Sequence, residues 1–152
     1  MLRTLLLGWG LAAALQAGPA APPAEPGVVQ VDAPLPGDAD WRAVEDARGG
    51  TGLAQALQGY LAVHPHGLGA SRALQEQAAA LDDLGAAAAL LERARVEGSG
   101  DAAGSAAALS EAKLLYDMGE PGDALRVLAA SDAWPRPVQE RAEWLYCRAQ
   151  CR

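Results

Sequence analysis

Three residues return in the second half of the chain at one fixed interval. Ala78, Leu81 and Gly85 recur as Ala112, Leu115 and Gly119, each 34 positions later. In a chain rich in alanine and leucine, that period predicts antiparallel helix pairs stacked in chain order. The residue types fit the geometry. A small residue at 78 or 112 lets a partner helix cross closely. A large one at 81 or 115 fills the space beside it. Glycine at 85 or 119 permits a sharp reversal.

Composition limits how such helices pack. Apolar residues make up 51% of the chain, but aromatics only 5% and phenylalanine is absent, so the core must be mostly alanine and leucine. Small side chains bury little area each, and the helices must approach closely to compensate. The 152 residues suffice for one domain with a moderate core. Twelve basic residues face 19 acidic ones, a formal charge of -7, and the basic residues form no run. This balance argues against nucleic acid or an anionic membrane surface as the main partner.

The chain opens with the three-part pattern of a secretory signal peptide. Arg3 supplies the positive start, residues 5–15 are apolar apart from two glycines, and Ala17 is a small residue at the end. The apolar run is short for a membrane span, which needs about 20 residues. No cysteine follows it for a lipid anchor. Residues 1–17 therefore read as a signal. Residues 18–39 read as an extended Pro/Ala-rich linker, in which Val28 to Val31 is a short candidate edge strand. Residues 40–152 read as a helical domain. Removing the signal takes Arg3 with it and leaves 11 − 19 = −8.

Periodicity and punctuation divide that domain into about seven helices. The first covers 41–47 and is capped by Asp40. The second covers 53–63, after Thr51, with Leu53, Leu57, Tyr60 and Leu61 inward; Pro65 ends it. The third and fourth span 69–84 and 86–96, turning at Gly85, with Ala87, Leu90, Leu91 and Ala94 facing the core. Ser105 is read as the cap of a fifth running to 118. Gly119 and Pro121 turn the chain into a sixth ending at 130. A seventh, over 138–151, has an apolar stripe of Val138, Ala142, Leu145 and Ala149.

In this setting Ala112-x2-Leu115-x3-Gly119-x4-Ala124-x3-Leu128 resembles the tetratricopeptide repeat. Ala124 and Leu128 match that family's small and bulky second-helix positions, and Pro135 or Pro137 approximates its terminal proline. One unit matches well. The upstream copy has Leu90 where a small residue is expected and Ala94 where a bulky one is. Residues 41–73 look like divergent helical repeats of exported bacterial proteins. The expected fold is all-α, a short array of antiparallel helical hairpins, with an irregular helical bundle as the alternative. The resemblance implies a groove that binds peptides or helices of partner proteins.

No catalytic, cofactor or metal site emerges. His64 and His66 flank Pro65 without a third ligand nearby, so they read as a turn rather than a zinc site. Nothing fixes Asp82, Asp83, Glu92 and Glu97 in the cleft geometry of a catalytic carboxylate pair, and Asp82 and Asp83 read as solvated helix surface. The Gly98-Ser99-Gly100-Asp101 loop lacks the lysine of a phosphate loop. Cys147 and Cys151 lie one helical turn apart, at the long end of disulfide geometry, and an oxidising compartment favours pairing them. Trp134, on a loop, and Trp144, off the final stripe, are candidate partner contacts. The expected function is that of an exported, noncatalytic protein-binding or scaffolding module of the bacterial envelope. An accessory helical domain of an envelope hydrolase or protease is one alternative, and a structural homo-oligomer another.

Overall fold

Alanine-rich segments broken by glycine and proline produce an all-helical structure. The computed structural model describes residues 39–152. The signal, residues 18–38 of the linker and with them the Val28–Val31 segment lie outside the described residues, and Ala39 already belongs to the first helix. Seven helices are present among the described residues: α1 (Ala39–Asp46), α2 (Leu53–Val63), α3 (Gly67–Ala79), α4 (Leu84–Glu97), α5 (Ala102–Asp117), α6 (Pro121–Ala130) and α7 (Val138–Gln150). Each helix packs on its neighbours in the chain. In addition α3 meets α5, and α5 meets α7. The result is a helical array laid down in chain order.

The 34-residue interval is clearer in burial than in residue identity. Ser71 and Ser105, Ala73 and Ala107, Leu74 and Ala108, Ala78 and Ala112, and Ala94 and Leu128 are all buried at that spacing. Two of these pairs exchange size. Leu74 clusters with Ala94, whereas Ala108 clusters with Leu128. The large residue sits on the first helix of one pair and on the second helix of the next. Summed volume is kept while the size pattern inverts, which cores tolerate well. This accounts for the mismatch at Ala94.

The echo in the sequence fails at two of its three positions. Leu81 lies beyond the end of α3 and is 39% exposed, whereas Leu115 packs against the core from within α5. Gly85 sits in the first turn of α4, while Gly119 turns the chain at φ +83°. Asp83 is the cause. Its carboxylate accepts the Ala86 N–H at 3.0 Å and so starts α4 early. Asp83 is thus a helix cap rather than plain solvated surface. Two other expected caps also move. Asp40 lies inside α1, and the N-cap of α2 is Gly52 rather than Thr51.

Close approach is most evident between α4 and α5. A Cβ at Gly104 would stand 2.1 Å from the Gly98 carbonyl oxygen, so both positions require glycine. Ser105 is not a cap, because α5 begins at Ala102. A charged pair spans the same two helices: Arg95 Nε donates to Glu111 Oε2 at 2.7 Å. Burial still raises the Glu111 carboxyl pKa, against the pull of Arg95.

Bulk is placed at the two ends. Trp41, Val44, Leu57, Tyr60 and Ala73 form one terminal cluster, in which the Trp41 and Tyr60 rings meet edge-on at 5.0 Å. At the other end Trp144, Cys147 and Cys151 join Ala108, Leu109, Ala112, Ala124, Val127 and Leu128.

Candidate functional site

The final helix keeps its expected range but turns a different face inward. The stripe of Val138, Ala142, Leu145 and Ala149 is exposed, with Val138 at 72% and Leu145 at 56%. The inner face is Glu140, Trp144, Cys147 and Cys151, which has the same spacings of four, three and four. Both faces satisfy helical periodicity, and the larger aromatic surface of Trp144 decides between them. Trp144 is therefore 2% exposed and belongs to the core, a correction to its reading as a partner contact. Tyr146 joins the outer face at 68% exposure.

Cys147 and Cys151, the possible disulfide pair, are both free, buried thiols in this core. The Cys151 N–H donates to the Cys147 carbonyl at 3.1 Å, which keeps the two on a regular turn. Burial, and then the neighbouring Cys151, push the Cys147 thiol up to about 11. Lys113 Nζ donates to Glu143 Oε2 at 2.6 Å and ties α7 to α5.

The corner between α6 and α7 is built around Arg136. Pro135 and Pro137 prevent either helix from running through it. The buried Ser131 hydroxyl bonds back to the Val127 and Leu128 carbonyls at 3.1 and 3.2 Å, closing α6. Arg136 Nε donates to Ser105 Oγ at 3.2 Å, and its Nη2 donates to the Ser131 and Asp132 carbonyls. Its guanidinium lies 4.5 Å from the Trp144 ring centroid, and that of Arg148 lies 5.0 Å away. Burial lowers the Arg136 pKa.

These groups enclose an open pocket of about 400 Å³. Its walls include Arg136, Arg141 and Arg148, with Trp134, Trp144 and Leu145. Asp132 is the acidic residue in the lining, and it stands 3.7 Å from Arg148. Trp134, the loop ring of the sequence reading, is half-buried in this wall. The absence of a basic run in the sequence concealed this cluster. A signal was nevertheless present: Arg141, Trp144, Leu145 and Arg148 follow the i, i+3, i+4, i+7 rule of one helix face.

The histidines are brought to separate carboxylates. His64 Nε2 lies 3.0 Å from Asp40 Oδ2, and His66 Nδ1 lies 3.0 Å from Glu97 Oε1. Glu97 also accepts the Gly67 N–H at 3.1 Å. The hydrogen bond from His66, and then that from Gly67, lower the Glu97 pKa. These contacts tie distant segments of the array together. Among the described residues no group of three His, Cys, Asp or Glu is placed to hold a metal ion, and no helix is long and apolar enough to cross a membrane. Comparison with known proteins finds no matching family model, curated protein or solved structure.

Proposed function

We propose that this protein is a noncatalytic binding module, an exported helical-repeat scaffold for protein assembly in the bacterial envelope. The outer face of α7 carries the reading. Val138, Leu145 and Tyr146 are 72%, 56% and 68% exposed, on a helix whose other face is already in the core. A helix that is apolar on two sides is suited to two neighbours, and an exposed apolar surface marks an interaction site. The buried positions repeating at 34 residues support the repeat character, and the pattern of residues 1–17 supports export.

A photo-crosslinking amino acid in place of Tyr146, incorporated in a producing bacterium, tests the reading. A defined adduct is expected there, and none at Gln58 on the exposed side of α2. No adduct at 146 contradicts it. An adduct with the mass of two chains assigns the same face to the homo-oligomer reading. For export, N-terminal sequencing should find a mature start near Gly18 or Ala21, and an intact Met1 contradicts it.

A further inference from the structure

We infer that the pocket at the α6–α7 corner receives an acidic side chain of a partner segment, with an apolar neighbour of that side chain resting on Leu145 and Trp134. The inference deepens the binding-module reading and rests on it. Charge is its first support. Three guanidinium groups line the pocket against one carboxylate, in a chain whose formal charge is -7. The pocket is therefore a local reversal of sign.

Availability is the second support. Arg136 is held inward by Ser105, Ser131 and Asp132, which fixes its position. The Arg141 backbone N–H donates to the Pro137 carbonyl at 3.1 Å, but its guanidinium makes no hydrogen bond or ion pair among the described residues. Arg148 is 3.7 Å from Asp132, too long for a hydrogen bond. Two guanidiniums thus retain free donors, in a fork that matches a carboxylate.

The remaining features narrow the ligand. The pocket is open and has a volume of about 400 Å³, enough for one or two side chains of a longer chain. Its apolar wall continues onto the exposed α7 face through Leu145. A polyanion such as nucleic acid would meet a protein of like overall charge, whereas a single carboxylate needs only the local excess.

The test is a titration of the ¹⁵N-labelled full chain, followed at the tryptophan indole N–H and arginine Nε–H resonances. The probes are capped Leu-Glu-Leu, capped Leu-Gln-Leu, Leu-Gln-Leu with a free C-terminal carboxylate, and inorganic phosphate. Capped Leu-Glu-Leu should shift Trp134 and Arg141, with a Kd about tenfold below those of the other three probes. Arg141→Gln should raise that Kd about tenfold without changing Tm, because the Arg141 side chain has no internal bond to lose. Equal binding of the Glu and Gln peptides overturns the inference, as does an unchanged Kd in Arg141→Gln. Absence of any shift at millimolar peptide overturns it too. Preference for the free C-terminus or for phosphate overturns the side-chain assignment. If the peptides fail while the Tyr146 adduct persists, only this inference falls and the binding-module reading stands.

Discussion

At the scale of single residues, backbone contact and burial set the sharpest expectations. Gly104→Ala places a methyl group against the Gly98 carbonyl, where backbone faces backbone and cannot swing aside. It should destabilise by about 2 kcal/mol or more, read by denaturant unfolding. A variant as stable as the parent would show that α4 and α5 are not so closely apposed. Glu140 gives a pH-dependent case. Its Oε2 is buried without a hydrogen-bond partner, and burial, then Glu143, raise its pKa. An acid raised in the fold holds its proton more firmly there than in the unfolded chain. Stability therefore falls as pH rises from the ordinary carboxylate value through the raised one. Glu97 and Glu143 are lowered and act oppositely: their contribution is present above the ordinary value and is lost as pH falls through the lowered one. Glu140→Gln should raise Tm at pH 7 and flatten the decline with rising pH. An unchanged Tm–pH profile contradicts this assignment.

At the scale of helices, the exchange of large and small residues is itself testable. Leu74→Ala alone should cost about 2–5 kcal/mol, and Ala94→Leu alone about 1–3 kcal/mol. Leu74→Ala combined with Ala94→Leu rebuilds the size order of the Ala108–Leu128 pair. Its cost should fall below the sum of the single costs by about 1 kcal/mol or more in a double-mutant cycle. Strict additivity would show that the two sites do not share one space. Arg95→Ala leaves Glu111 buried with its partner gone and should cost about 3 kcal/mol.

The same helices show how much the sequence revealed. The number of helices and the full span of α2 were legible, because glycine, proline and helical periodicity agree there. The boundary between α3 and α4 was not, because Asp83 competes with Gly85 and the cap prevails. The inward face of α7 was not legible either, since two stripes had equal spacing and only tertiary packing of Trp144 separates them. The arginine pocket escaped for a different reason: Arg136 reaches it from the loop, while Arg141 and Arg148 reach it from the helix, so no linear run betrays it.

At the scale of the whole molecule, the array has an alanine-rich middle and a tryptophan at each end. Trp41 lies under Arg72 at 4.8 Å, and Trp144 under Arg136 and Arg148. Such pairs cover a large apolar ring with a guanidinium. Among the described residues, the α7 end carries an exposed apolar face beside a basic pocket, and the proposed recognition rests on that end. The most direct measurement is the affinity of the partner crosslinked at position 146, purified and titrated against the parent chain and the Leu145→Asp, Tyr146→Asp double variant. At least a tenfold loss of affinity, on the order of 1.4 kcal/mol, is expected, with helical content and Tm unchanged. An unaltered affinity in a folded double variant would contradict it.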